Sequence, residues 1–372
     1  VSAVIPVKFE SKEPQVKKVP RWKRLTSHQL FLPFVCLIVV LFINVIKTPT
    51  FFKVSINGGV LYGYVIDVIN RASELVILAV GMTPVTASSA GQDISVGAVM
   101  AVAAAVCCQI LSTGQVSTNE FQNPLILAVL AALLAAALCG VFNGFLVAKM
   151  RIQPMVATLI LYTAGRGIAQ LVTQGQITYV RVDTFKIAGG YIAGCPLPTP
   201  VFFAIGTVIV VSLILKKTAL SLYMESVGIN RSASRLVGLQ STTIIFIIFI
   251  IYIICGILSG VAGLVASSRI YSADVNNIGL HLEMDAILAV ALGGNLLSGG
   301  KFSLMGSVIG AYTIQALPTT LYAMNVSSDQ LPVYKAVAVV IIVTLQSPVF
   351  KKYVAGLKIK HLSAKAEEEA AS

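Results

Sequence analysis

The stretch ALGGNLLSGGKFSLMGS, from Ala291 to Ser307, carries the residue types that hold phosphate: Gly293, Gly294, Gly299 and Gly300, with Lys301 after them. A phosphate loop needs a glycine, four further residues, then glycine, lysine and serine or threonine, at the start of a helix that follows a strand. Asn295 stands five before Gly300, where the first glycine belongs, and Phe302 replaces the hydroxyl. Apolar runs flank the stretch on both sides. Its glycines are therefore expected to form a tight, flexible turn between two helices, with Lys301 as a positive anchor beside it.

Other chemistry is equally sparse. The histidines His28, His281 and His361 are far apart and match no metal-ligand spacing. Cys36, Cys107, Cys108, Cys139, Cys195 and Cys255 lie almost entirely within apolar runs, as small packing residues do. No paired carboxylates and no serine, histidine and aspartate set converge, so an enzyme is not expected.

Polar residues inside apolar runs are the remaining functional candidates, because each is costly in hydrocarbon unless it faces protein or water. The densest group is GMTPVTASSAGQDISVG, from Gly81 to Gly97. Pro84 and Gly91 are expected to break a helix there, with Thr83, Thr86, Ser88 and Ser89 satisfying freed backbone groups. Asp93 and Ser95 precede an apolar run where an N-cap belongs, so Asp93 either caps that helix or lines a solute path. Arg166, in LYTAGRGIAQLVTQ, either holds a fixed contact inside the bundle or lines a path. Gln170 and Gln174 follow it one and two turns on, on a similar face. Glu283 and Asp285 are expected to cap a helix or to attract a docking partner.

The elements that must position these residues follow from composition. The chain has 372 residues, 56% hydrophobic and 11% charged, with mean hydropathy +0.87. Soluble domains carry about 25% charged residues. So few charges cannot coat a globular surface, whereas a surface facing lipid needs none. Apolar runs at about 29 to 46, 61 to 88, 94 to 112, 124 to 146, 155 to 174, 199 to 216, 241 to 266, 284 to 298, 303 to 322 and 332 to 350 predict ten membrane-spanning helices. The first run begins after a basic segment, like a signal peptide, but it is long and lacks a small-residue cleavage site, so it reads as a retained span.

Ten spans put both termini on one side. Lys149, Arg151, Lys216, Lys217, Arg231, Arg235 and Lys301 fall on that side with the basic tails at 1–28 and 351–372, so the positive-inside rule makes it cytoplasmic. Lys47, Lys53, Arg181, Lys186 and Arg269 fall outside. The net charge of +12 thus reports cytoplasmic loops and not nucleic-acid binding. Small-residue pairs four apart, Gly140 with Gly144, Gly256 with Gly260 and Gly306 with Gly310, open grooves for neighbouring helices. Gly190 and Gly194 fall in an outer loop and read as turn residues. The longest cytoplasmic connection, MESVGINRSASRLVGLQ at 224–240, is polar and bounded by Gly228 and Gly238, and it can lie as a short helix against a soluble partner.

The order of these segments resembles the permease subunits of ribose and galactose type sugar ABC importers. The matching blocks are GQDISVGAVMAVAAA, NGFLVAKMRIQPMVATLILYTAGRGIAQLVTQGQ, GINRSASRLVGL and DAILAVALGGNLLSGGKFSLMGSVIGAY, and the match runs from about Leu61 to Gln346. The resemblance implies an all-α, polytopic permease bundle of the type II importer kind in 29–350, with discontinuous helices. It implies that Gly228, Asn230, Ala233, Arg235 and Gly238 form the segment coupled to an ATPase. Asp93, Ser95, Asn143, Arg166 and Gln174 would shape the translocation path. Ala90, Gly91 and Gln92 depart from the family pattern of two glycines and an aliphatic residue before the aspartate. No cofactor is expected on this chain, ATP and Mg belonging to a partner ATPase. The other partners implied are an extracytoplasmic sugar-binding protein and a second permease, identical or sister, in a bacterial plasma (inner) membrane. An ion-coupled secondary transporter is the alternative; it would place acidic residues or histidines deep in several spans. Asp67, Glu74 and Asp93 are the few candidates, all near predicted helix ends.

Overall fold

A computed structural model describes residues 30–57, 59–327 and 329–346. The tails expected at 1–28 and 351–372, and the last residues of the tenth apolar run, lie outside them. Each of the ten expected runs contains one helix among the described residues. The chain is a mostly helical, multi-pass membrane protein. Among the described residues, four helices are long and apolar enough by length and composition to cross a bilayer, within Leu125–Lys149, Pro154–Val172, Thr199–Lys217 and Ser241–Ile270.

Helix α1 (Phe31–Lys47) ends before Pro49 and leads through a 3-10 turn (Pro49–Phe52) into a hairpin of β1 (Ser55–Asn57) and β2 (Val60–Tyr62). Helix α2 (Tyr64–Ser89) then runs through the expected break at Pro84 without stopping. The helix instead ends at Ala90, which takes a left-handed φ of 54°. The Thr83, Ser88 and Ser89 hydroxyls bond back to the Ala79, Pro84 and Val85 carbonyls within α2. Polar groups near the proline are thereby satisfied inside the helix, and the break falls on the small residues beyond it.

Helices α3 (Val96–Ser112), α4 (Leu125–Gly144, followed by a π turn at Phe145–Lys149) and α5 (Pro154–Val172) come next. After a short α6 (Asp183–Lys186) stands α7 (Thr199–Lys217), then the paired short helices α8 (Leu220–Ile229) and α9 (Arg231–Leu236). The long α10 (Ser241–Ile270), α11 (Leu282–Leu292), α12 (Leu304–Ala323) and α13 (Leu331–Gln346) complete the described chain. Helices α2, α3 and α10 form the centre, α2 and α3 buried along most of their length and α10 along about half.

Helix α4 shows how the outer layer is built. Ala128, Ala132, Ala136 and Gly140 recur every fourth residue and are buried, while Ile126, Leu130, Leu134 and Leu138 are exposed. The expected glycine pairs meet one another across this contact. A Cβ on Gly140 would stand 2.5 Å from the Tyr252 carbonyl of α10, and one on Gly256 would stand 2.5 Å from the Ala136 carbonyl of α4. Gly306 and Gly310 of α12 serve α11 in the same way, against the backbone of Gly293 and Ala289. In lipid, where apolar burial does not drive association, such close backbone approach supplies the packing. Gly194 has a φ of +82° and open space around it, which fits its turn role.

The all-α expectation needs one correction. Besides the first hairpin, β3 (Ser117–Thr118) pairs in parallel with β4 (Thr178–Val180), which pairs antiparallel with β5 (Ser272–Ala273). These short strands join the connections after α3, α5 and α10 at one end of the bundle and satisfy their backbone groups against each other. The connections rich in glycine, after α2, α8 and α11, gather at the opposite end.

Candidate functional site

Two helix breaks and one cluster of backbone contacts hold the residues singled out from the sequence. The first break, between α2 and α3, brings Asp93, Ser95 and Asn143 together, all buried. Asp93 Oδ1 accepts from the Ser95 amide at 2.9 Å and from the Ser95 hydroxyl at 2.6 Å. The Asn143 side-chain amide, reaching in from α4, donates to Ser95 Oγ at 2.8 Å and to Asp93 Oδ1 at 3.5 Å. The carboxylate caps the turn leading into α3, while Ser95, at the N-cap position itself, makes no capping bond with its side chain. Thr158 of α5 closes the break from the other side, accepting from the Ile94 amide at 3.2 Å and donating to the Gln92 carbonyl at 3.4 Å.

The second break was not anticipated. Where the sequence suggests a span at 284–298, α11 has only 11 residues, and the chain before it, from Ser272 to His281, is not helical. This segment descends from the strand end alongside α3. Val275 is buried with Ala101, Val102 and Ala105 of α3 and Ala169 of α5, and the Gly279 backbone meets that of Gly97 in the first turn of α3. Helix geometry cannot satisfy the carbonyls here, and Arg166 does so instead. Its Nη1 donates to the carbonyls of Val275 at 2.7 Å, Ile278 at 2.8 Å and Asn276 at 3.4 Å.

Arg166 therefore holds a fixed contact inside the bundle. Gln170, one turn on, donates to Asn276 Oδ1 at 2.8 Å. Gln174 does not share that face: it lies beyond the end of α5, exposed, with a left-handed φ of 53°. Glu283 and Asp285 also separate. Asp285 forms an ion pair with Lys335 of α13. Glu283 is fully buried and its carboxylate lies over Gly97.

At the glycine-rich end, the segment expected to couple to a partner is two helices. Asn230 caps α9, its Oδ1 accepting from the amides of Ser232 at 2.9 Å and Ala233 at 3.0 Å. Arg235 is exposed, and so are Leu236 at 91% and Val237 at 88%, an unusual degree for apolar side chains. Gly238 ends the segment with a φ of +104°. Gly228 takes a different role at the end of α8, where a Cβ would collide with the Ala87 carbonyl of α2 and stand 2.6 Å from the Gly300 amide. The Gly300 amide itself donates to the Ala87 carbonyl at 2.9 Å.

The turn at Gly293, Gly294, Gly299 and Gly300 is thus wedged between α2 and α8. Gly294, Gly299 and Gly300 all have positive φ, whereas Gly293 has an ordinary φ and is small because α12 crosses its backbone. Asn295, which fails the phosphate-loop pattern, holds the turn. Its amide donates to the Val290 carbonyl at 2.9 Å and to Ser307 Oγ at 2.7 Å, and its Oδ1 accepts from the Ser303 amide. Ser307 continues to Thr83 of α2 at 2.6 Å. A polar residue amid glycines between two apolar runs was the signal available in the sequence for Asn295. Nothing local marks Ser307 or Thr158, whose partners are distant in sequence.

Two of the three acidic residues named for the ion-coupled alternative are engaged inside the bundle. Asp93 is held as described, and Glu74 pairs with Arg269 at 3.0 Å. Among the described residues no group of three or more histidine, cysteine, aspartate or glutamate side chains could hold a metal ion.

Apolar helices packed through glycine, polar helix breaks and an exposed capped helix at one end define a membrane permease. The family described as branched-chain amino acid transport system / permease component matches residues 64–345, and the chain belongs to that family. It is 41% identical to the galactofuranose transporter permease protein YtfT of Escherichia coli over 87% of this chain and 91% of that one. Its identity to the fructose import permease protein FruF of Bifidobacterium longum is 37%, over 94% and 96% of the two chains. For the ribose import permease protein RbsC of Haemophilus influenzae it is 33%, over 83% and 90%. No solved structure matches the chain.

Proposed function

We propose that this chain is a transmembrane subunit of an ATP-driven, binding-protein-dependent importer that moves a monosaccharide across a bacterial plasma membrane by alternating access. The relatives named for galactofuranose, fructose and ribose import support the sugar class, since they align along nearly the whole chain. The observation that carries the coupling mechanism is α9, a short helix capped by Asn230 that exposes Arg235, Leu236 and Val237. An exposed apolar and cationic helix fits the groove of a soluble ATPase subunit, which would bind ATP and Mg.

The glycine-rich end is the cytoplasmic one in this reading, because Lys149, Arg151, Lys216, Lys217, Arg231, Arg235 and Lys301 follow or precede helices there. Ten crossings and two cytoplasmic termini accord with that charge distribution. A sugar-binding protein docks at the strand end, and two permeases, identical or sister, enclose the path. ATP and the loaded binding protein act on a two-state bundle, which each can bias only through different contacts with its two states. Asp93, Ser95 and Asn143 hold the junction of α2 and α3 that such a motion must carry.

The test is co-purification with the cognate ATPase and uptake in proteoliposomes. Arg235→Glu is expected to abolish ATP-driven uptake and weaken the complex; survival of both would overturn the coupling assignment. Calorimetry of the cognate binding protein identifies the sugar. Uptake that needs a proton or sodium gradient and no ATPase would overturn the importer reading as a whole.

A further inference from the structure

Helix α7 packs on α2, but on its other side a groove separates it from α4. Leu133 of α4, Phe202, Phe203 and Val210 of α7, and Leu258 and Val261 of α10 line that groove, whose floor is α10. Its volume of about 590 Å³ is that of a pocket able to hold a molecule and not of a shallow crease. All three helices are long and apolar enough to cross a bilayer, so the groove opens to lipid.

Its length and its few polar groups narrow the occupant. The wall on α7 runs from Thr199 to Val210, roughly 16 Å of helix. That is about one leaflet of a hydrocarbon core near 30 Å thick. A membrane-spanning helix of another subunit needs a seat through both leaflets, whereas an acyl chain needs only one. Two hydroxyls stand among the lining residues. Thr207 donates to the Ala204 carbonyl at 2.8 Å. Thr199, 5% exposed, has a hydroxyl buried without a hydrogen-bond partner. It is the first residue of α7, at the strand end, where hydrocarbon gives way to the ester groups of a lipid.

Charge at the mouth completes the pattern. Ala188 lines the groove two residues after Lys186, which ends α6 and is exposed. The Lys186 ammonium lies 5.0 Å over the Tyr271 ring, whose hydroxyl donates to Asp183 at 3.2 Å. Among the described residues Lys186 forms no ion pair. A cation and a free hydroxyl above an apolar channel are the complement of a phosphate, an ester carbonyl and an acyl chain.

We propose that this groove is a phospholipid site: one acyl chain lies between α4 and α7, Thr199 donates to its ester carbonyl, and Lys186 meets the phosphate. The lipid completes a contact that the protein leaves open, and it braces α7, which leads into α8 and α9. Only the assignment to the outer leaflet rests on the importer reading, through the orientation of the strand end.

The experiment is native mass spectrometry of the full-length permease, purified in mild detergent, stripped of lipid and titrated with dipalmitoyl phosphatidylglycerol, with Tm followed alongside. One tightly held lipid per chain and a rise in Tm are expected. A Cβ on Gly206 meets nothing within 4 Å, so Gly206→Leu fills the groove without striking backbone. It should keep the Tm of the lipid-free protein and weaken lipid binding by about tenfold or more, since two groups cannot share one close-packed channel. Thr199→Val removes an unpartnered hydroxyl, so the lipid-free Tm should hold while affinity falls about fivefold, the scale of one hydrogen bond. Lys186→Gln should lower affinity for phosphatidylglycerol and not for dipalmitoylglycerol, which lacks the phosphate. Unchanged affinity in Gly206→Leu, or in both of the other variants, overturns the proposal. If Gly206→Leu instead separates paired permeases with lipid binding unchanged, the groove seats a second copy and the proposal falls. Binding is read without transport, so its failure leaves the importer reading standing, and failure of ATP-driven uptake leaves the lipid site standing.

Discussion

The two helix breaks meet at Gly97 and Gly279 but solve opposite problems. Between α2 and α3 the gap is short, and the Asp93 charge is held by Ser95 and Asn143 inside the bundle. Before α11 the gap is long, its carbonyls depend on Arg166 reaching in from α5, and Glu283 at its end is buried against Gly97. A break whose charge is satisfied internally behaves as a fixed joint. One whose carbonyls hang on a single side chain from another helix is only as firm as that side chain.

Five substitutions at four positions test that contrast. Gly97→Val strikes both breaks, since even a Cβ collides with the Gly279 carbonyl and the Glu283 carboxylate. Overpacking against backbone is expected to cost about 3 kcal/mol, seen as a large fall in Tm and loss of monodisperse protein. Arg166→Met leaves the carbonyls of the second break unsatisfied and is expected to cost about 2 kcal/mol, as for hydrogen bonds to a charged group. Hydrogen exchange should rise in 275–281 and not in 90–95; a rise in both would mean that the breaks are one cooperative unit. Asp93→Ala removes the cap of the first break at about 1 kcal/mol, while Asp93→Asn, which keeps an acceptor, should retain most of the Tm. Gln170→Ala removes one exposed hydrogen bond, and its stability change is expected within about 0.5 kcal/mol. A larger drop in Tm would show that the exposed edge of the second break depends on this bond.

Much of the architecture was legible because lipid imposes simple rules. The apolar runs located the helices, and the paired glycines of α4, α10 and α12 foretold close crossings, since only small residues permit them. Asp93 with Ser95 announced a cap. Pro84 misled because a proline's missing N–H can be absorbed within a helix, whereas left-handed backbone at Ala90 cannot continue one. The second break was hidden because Val275 and Ile278 are as apolar as any helix residue, and their carbonyls find Arg166 over a hundred positions away. Gln174 was assigned to a helical face on periodicity alone, but α5 had already ended.

The contact of Gly228 with Ala87, with the Gly300 amide bound to the same carbonyl, bears on how a push would travel. Side chains between moving parts act as springs: they change rotamer and absorb displacement. Here main chain rests on main chain, so a shift of α8 and α9 reaches α2 with no slack to take up. The joint is stiff at the point where force would enter.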